Sequence, residues 1–255
     1  MADSDKVIWA ENISFLAKER GIKLMDLAEE AGVALSFFSR ARKGDSRADA
    51  NVLTRIAERL GISLDTLMKC DLTAMTENER LVMNFIDKVM LDTNAGKLDW
   101  RKDTRDSMRM VDEDGEPLYP MSENVGIDGD TVVRYRSHFA KDGVQITPWG
   151  TSYHTAIGEM TALYIVHVGV TEPMEGEDSR NNYYLGYELY ITDFSSPNPV
   201  CCSFNGTNRT IAERMNDLYN LARIKSDHIC LSEGTIGIMK DYLTDQMAKR
   251  SEVPF

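Results

Sequence analysis

The stretch from Ile22 to Lys69 constrains the fold more than any other part of the chain. Its apolar residues recur at helical spacing, which predicts three or four short helices around one small core. Gly32 interrupts this pattern, and glycine tolerates the left-handed backbone with which many helices end. We therefore predict a helix over 23–31, a tight turn, and a second helix that begins between Ala34 and Ser36. Two short helices joined in this way are typical of a helix-turn-helix.

Three groups of residues in this stretch follow a spacing shared with a known family. They are Leu27-Ala28 with Gly32-Val33, then Ser36-x-x-Ser39-Arg40-x-x-x-Gly44, then Ile56-Ala57-x-x-Leu60-Gly61-Ile62-Ser63-Leu64-Asp65-x-Leu67. On these residues the segment 8–69 resembles the Cro/CI-type (XRE-like) helix-turn-helix domain of phage repressors and related bacterial regulators. The resemblance implies a DNA-binding domain and extends over the first quarter of the chain alone.

The resemblance also implies which side chains meet DNA. The helix after the turn would enter the major groove and present residues near its start to base edges. By the family pattern the base contacts are Leu35, Ser36, Phe37, Ser39 and Arg40. A guanidinium can bond O6 and N7 of a guanine together, so Arg40 is the prime candidate for sequence readout. The predicted phosphate contacts, which fix register, are Lys23, Arg42, Lys43 and Arg47.

The charge distribution is compatible with this partner although the net charge is −12. Residues 1–70 hold 11 basic and 11 acidic side chains, whereas residues 71–255 hold 18 basic and 30 acidic ones. The acidity therefore belongs to the second part of the chain. Since local charge decides whether a surface can approach DNA, we expect the N-terminal part to bind it with a strong dependence on salt.

Cysteine and histidine usage predicts neither a metal site nor a cofactor. The four cysteines form no CxxC pair, and the four histidines have no ligand spacing with them. Free thiols are typical of the cytosol, and no apolar run approaches the length of a membrane span. We therefore expect a cytoplasmic protein that does not contact membranes.

The rest of the chain is predicted to be α+β. Thr76 and Glu79 form a capping-box signature, and the helix that follows presents a broad apolar face that serves either as a dimer surface or as a core helix. From Leu98 onward, short β-branched and aromatic runs alternate with turn signals, which predicts an antiparallel sheet of about five to seven strands. Two closing helices are predicted, one after Thr207 and one after Ser232.

These patterns divide the chain into three parts. We predict a mainly α helix-turn-helix domain over 1–70, a connecting helix over 71–97, and an α+β regulatory or oligomerisation domain with an antiparallel sheet over 98–255. The last part loosely resembles modules of regulators on phage and other mobile elements. Proteins of the N-terminal type usually read paired half-sites, so we expect a homodimer.

The prediction that follows is a transcriptional regulator without enzymatic activity. Its predicted partners are a double-stranded DNA operator, a second copy, and an antirepressor protein or small-molecule inducer. Two alternatives remain open. One is a self-cleaving repressor, in which Lys141 would activate Ser107 to cut the Ala95–Gly96 bond. The other is an antitoxin-like interaction module whose acidic part binds a basic protein.

Overall fold

The computed structural model describes residues 7–45, 47, 49–127, 130–141, 143–173, 181–193, 196–227 and 239–240. It confirms the predicted fold class: an N-terminal group of helices is followed by an antiparallel sheet with a helix on one face. The predicted closing helix after Ser232 lies outside the described residues, apart from positions 239–240. No helix within the described ranges is both long enough and apolar enough to span a membrane.

Five short helices are present among the described residues of the N-terminal part. They are α1 (Ile8–Glu19), α2 (Leu24–Ala31), α3 (Ser36–Arg42), α4 (Ala50–Arg59) and α5 (Leu64–Lys69). The turn between α2 and α3 forms as predicted, with Gly32 in the left-handed region at φ +72° and the Val33 amide donating to the Ala28 carbonyl at 2.9 Å. These bonds satisfy carbonyls at the end of α2 and set the angle at which α3 leaves.

A sixth helix, α6 (Glu77–Asn94), begins at the predicted capping box. The Thr76 hydroxyl accepts a hydrogen bond from the Glu79 amide at 3.3 Å, and the Glu79 carboxylate accepts one from the Thr76 amide at 2.8 Å. Met83, Ile86 and Val89 are buried in one cluster with side chains from both the N-terminal helices and the sheet. In this structure α6 is therefore a core helix that joins the two parts of the chain.

Removing the cap should measurably weaken α6. Thr76→Ala leaves the Glu79 amide without its side-chain acceptor, so we expect the free energy of unfolding to fall by about 1 kcal/mol. Chemical denaturation followed by circular dichroism would measure this change. Thr76→Ser keeps the hydroxyl and should stay close to the wild type; an equal loss in both variants would show that the methyl group, and not the cap, is responsible.

The described residues of the remainder contain eight strands. They are β1 (Arg101–Asp103), β2 (Ser122–Ile127), β3 (Asp130–Tyr135), β4 (Gln145–Pro148), β5 (Ser152–Ala156), β6 (Ala162–Pro173), β7 (Asn181–Thr192) and β8 (Pro197–Cys202). Six form an antiparallel sheet in the order β1-β5-β6-β7-β8, with β4 also paired to β6. Strands β2 and β3 form a separate hairpin. The run 131–136, predicted as part of the main sheet, thus lies in this hairpin.

The two faces of the sheet carry different layers. Leu163, Ile165 and Leu189 face α6 and the last described long helix, α7 (Arg209–Ser226). On the opposite face, Val168 and Tyr190 are buried with side chains from the loops around the hairpin. Because successive residues of a strand point to opposite faces, β6 is buried on both sides and forms the centre of the domain.

Asn12 anchors the segment between α5 and α6. Its side chain is fully buried, and its amide nitrogen donates to the carbonyls of Leu67 at 2.9 Å and Cys70 at 2.6 Å. Its carbonyl oxygen accepts from the Leu72 amide at 3.1 Å. One side chain of α1 therefore pairs three backbone groups of the segment that leaves the N-terminal helices.

A buried ion pair connects the N-terminal helices to the sheet layer. Arg214 on α7 donates to the Asp87 carboxylate on α6 at 2.8 Å, and both side chains are almost completely buried. The same guanidinium donates to the hydroxyls of Ser63, which caps α5, and of Thr66 on α5. The Ser63 amide, in turn, donates to Asp87 at 3.1 Å. The boundaries at residues 70 and 97 stay a prediction, while these contacts fix α5, α6 and α7 against one another.

Candidate nucleic-acid interface

The helix α3 has an inner and an outer face. Phe38 and Ala41 are buried in the domain, whereas Ser36, Ser39 and Arg40 are exposed. Residues three and four apart lie on the same side of a helix, so the three exposed side chains share one face, which Lys43 extends. The structure therefore brings together four of the predicted DNA-contacting side chains on one solvent-facing surface.

Hydrogen bonds hold this surface in shape at both ends. At the start of α3 the Phe37 amide donates to the Ala34 carbonyl at 2.8 Å, and the Ser39 hydroxyl donates to the Ser36 carbonyl at 2.9 Å. At its end the Asp45 amide returns to the Arg40 carbonyl at 3.0 Å. Arg40 and Arg42 in the last turn also have the charge favoured near a helix C-terminus.

Phe37 does not share the outer face. Its side chain is only 6% exposed, and its ring stacks on that of Trp9 in α1, with the centroids 5.9 Å apart. An apolar ring buried between helices cannot reach a base edge without opening the domain. Phe37, which the sequence predicted as a base contact, is therefore a core residue in this structure. Leu35, just before α3, is 53% exposed, and its contact with a base stays a prediction.

The predicted phosphate contacts surround this face. Lys23 precedes α2, Lys43 follows α3, and Arg42 and Arg47 are also exposed. Within the part of the chain that the structure describes, none of these cations, nor Arg40, forms an ion pair with a carboxylate. By contrast, Arg59 nearby is paired with Glu30 at 2.9 Å. Five exposed cations without a carboxylate partner among the described residues therefore surround α3, and contact of each side chain with DNA stays a prediction.

The residues of the self-cleavage alternative have other partners. The Ser107 hydroxyl donates to the Thr104 carbonyl at 2.9 Å and accepts from the Thr104 amide at 2.8 Å. No hydrogen bond joins it to Lys141 among the described residues. The Ala95–Gly96 bond ends α6, where the Gly96 amide donates to the Thr93 carbonyl at 3.1 Å. Across the same residues no group of three His, Cys, Asp or Glu side chains has a metal-binding arrangement.

Sequence analysis missed the residues that hold this surface against the rest of the protein. Asn12, Asp87 and Arg214 are buried polar side chains whose partners lie far away in the sequence. A weak signal existed, because Asp87 and Arg214 interrupt the apolar faces of otherwise amphipathic helices. A charged residue at such a position costs free energy unless it is paired, which indicates a buried partner.

Comparison with known proteins identifies the N-terminal part. Residues 12–72 match the sequence model of the Cro/C1-type helix-turn-helix DNA-binding domain. The match covers α2 and α3 with their turn, α4, α5 and most of α1. No curated protein and no solved structure matches the chain. The predicted family of the N-terminal domain is thus confirmed, and the chain carries the DNA-binding domain of a regulator.

Proposed function

We propose that this chain, which carries a Cro/C1-type helix-turn-helix domain, is a repressor that binds a specific double-stranded operator as a homodimer. The observation that supports this most strongly is the exposed face of α3, where Arg40 stands without a carboxylate partner among the described residues. A helix of this kind fits the major groove, and the surrounding cations suit the phosphates on either side. The repressor acts in the cytoplasm, in the control of a phage or mobile element.

The α+β part supplies the second half of this function. In the proposal it holds two copies together and responds to an inducer or an antirepressor protein, so that the paired α3 helices read two half-sites. Regulation by this route requires binding alone, and no catalytic step enters it. The hydrogen bonds of Ser107 with Thr104 support that view, because a nucleophilic serine needs a base within hydrogen-bond reach.

Selection from a random double-stranded DNA pool with the full-length protein tests the proposal. At near-physiological salt we expect enrichment of a twofold-related site, and sedimentation should show two chains per DNA duplex. The selection is repeated with residues 1–70. Enrichment by this fragment but not by the full-length protein would show that the α+β part blocks the DNA-binding surface. Failure of both proteins to enrich any site would refute the proposed function.

Two substitutions, one on α3 and one just after it, should affect DNA binding in different ways. Arg40→Ala removes a bidentate base contact, so we expect a loss of about 1–3 kcal/mol and relaxed preference at one position of the site. Lys43→Ala should weaken binding to all sequences alike and reduce the salt dependence by about one released ion. Lys69→Ala, at an exposed position on α5, is the control. Fluorescence anisotropy across a salt series would measure all three.

A further inference from the structure

A groove of about 1420 Å³ separates the β2–β3 hairpin from the main sheet. Residues 132–136 in and just after β3 form one wall, and residues 145–148 of β4 form the other. Further lining comes from seven residues between 105 and 116, from Glu123 and Asn124 on β2, and from Ser137, Ala140 and Val144. Sites for small molecules usually occupy about 300–1,000 Å³, so this groove has room for a longer ligand. It lies in the α+β part and is separate from the α3 surface.

Both walls are strand edges without a second partner strand among the described residues. In that part of the chain, β3 pairs with β2 and β4 pairs with β6. The Trp149 amide donates to the His167 carbonyl on β6, so by the alternation of an antiparallel ladder the amide and carbonyl of Ile146 and the carbonyl of Pro148 point away from β6. The Pro148 carbonyl already accepts from the Arg105 side chain, so Ile146 is the residue of β4 that offers both a donor and an acceptor. The Arg136 amide donates to the Met121 carbonyl beside β2. By the same alternation, the amide and carbonyl of Tyr135 on β3 point away from β2.

The groove wall is already anchored before any ligand binds. At the end of β3 the hydroxyls of Tyr135 and Ser137 donate to the carboxylate of Glu188, which is fully buried on β7. The Tyr190 hydroxyl donates to the same carboxylate at 2.9 Å. These bonds attach the hairpin to the sheet, so a ligand would have little ordering cost to overcome at this wall.

The described lining holds four arginines and three acidic side chains, a small positive excess in an otherwise acidic part of the chain. Arg136 is paired with Glu123 at 3.0 Å, and Arg105 donates to the Pro148 carbonyl at 2.9 Å. Arg109 and Arg134 are exposed, and neither has a hydrogen-bond or ion-pair partner among the described residues. Arginine binds carboxylates in a planar, bidentate geometry, so these two side chains favour an acidic ligand. The acidic side chains of the lining are Asp114, Glu116 and Glu123.

We propose that this groove binds an extended acidic peptide of a partner protein, which adds a strand between β3 and β4. Unpaired strand edges supply backbone donors and acceptors for such a peptide, as in other cases of strand addition. Val111 and Val132 are exposed apolar residues in the lining. Val132 and Arg134 are two residues apart on β3 and share one face, so a strand added beside them would place an apolar and an acidic side chain at successive positions of that face.

A single-stranded nucleic acid fits the same groove less well. Binding of that class depends on aromatic platforms on which bases stack. Tyr135 is the one aromatic residue in the described lining, and its hydroxyl is bonded to Glu188. The strand edges and the apolar lining therefore favour a peptide. This inference does not depend on the proposed DNA function, and either can fail without the other.

Selection from a displayed library of random ten-residue peptides tests the inference on the full-length protein. We expect enriched peptides to be rich in Asp and Glu with intervening apolar residues. When synthesised with a fluorescent label, they should bind the Arg109→Glu/Arg134→Glu double variant about tenfold or more weakly, because each lost pair is charge-assisted. Arg101→Glu, an exposed strand arginine outside the groove, is the matched control and should leave binding unchanged.

Two further measurements separate strand addition from surface attraction. N-methylation of alternate peptide amides should abolish binding, because it removes the backbone donors that a strand needs. Hydrogen exchange at the Ile146 amide should slow in the complex. The inference is overturned if no peptide is enriched, if the double variant binds as well as the wild type, or if only a thymidine oligonucleotide binds in a manner that depends on the two arginines.

Discussion

Replacing Asp87 with alanine is expected to lower the free energy of unfolding by about 3–5 kcal/mol. The substitution removes the buried carboxylate of the Arg214 guanidinium, which keeps only the half-exposed Asp217 at 3.3 Å, and it also removes the acceptor of the Ser63 amide. A buried charge without a partner costs far more than an exposed pair contributes. Chemical denaturation of the full-length protein would measure the loss, with tryptophan fluorescence and circular dichroism as independent probes.

The control for this prediction lies on α7, the helix of Arg214. Arg209 and Glu213 form an ion pair at 2.8 Å, with side chains 91% and 63% exposed. Glu213→Ala should therefore change stability by no more than about 1 kcal/mol. A double replacement, Asp87→Leu with Arg214→Met, removes both buried charges and should recover part of the loss. Equal effects of Asp87→Ala and Glu213→Ala would contradict the assigned role of the buried pair.

Phe37→Ala is the second substitution for which we expect a large effect. Truncating this buried ring opens a cavity against Trp9, so the free energy of unfolding should fall by about 3–5 kcal/mol. Leu35→Ala is the matched control, because that side chain is exposed at the start of the same helix and should stay within about 0.5 kcal/mol of wild type. Thermal and chemical denaturation of both variants would measure the difference.

This pair of variants also distinguishes a core residue from a base contact. If Phe37 contacted DNA directly, its truncation would reduce operator affinity and leave the stability of the free protein nearly unchanged. The structure predicts the opposite: Phe37→Ala should destabilise the domain, and the molecules that remain folded should still bind the operator. Anisotropy titrations at a temperature where the variant remains folded would separate the two effects.

Local signals predicted the helices well, and the reason is physical. The turn at Gly32 and the capping box of Thr76 and Glu79 depend on residues within four positions of each other, so the sequence shows them directly. The direction of Phe37 depends instead on Trp9, which lies on another helix. Adjacent phenylalanines of α3 are both buried because α1 supplies a second surface for one of them.

The strands also depend on contacts between residues that are distant in the sequence, so local patterns predicted them only in part. Strands β2 and β5 are short and contain several polar residues, so their composition gave no strand signal, although each pairs along its whole length with a neighbour. The separation of the hairpin from the sheet depends on contacts such as Tyr135 with Glu188, which are far apart in the sequence. The partners of side chains that act over such distances, above all those of Arg214, are known only from the folded structure.

The anchoring of the α5–α6 segment by Asn12 has a consequence for the architecture of an operator. With that segment bonded to α1, and α5 held to α6 and α7, the α3 surface cannot swivel freely about the α+β part. In a dimer built through that part, the two α3 helices would then face DNA at one fixed separation and angle. B-DNA completes a turn in about 10.5 base pairs, so each inserted pair rotates one half-site by roughly 34° relative to the other. Such a dimer would tolerate changes of base more readily than changes of spacing, and the length of the central spacer would itself be a specificity element.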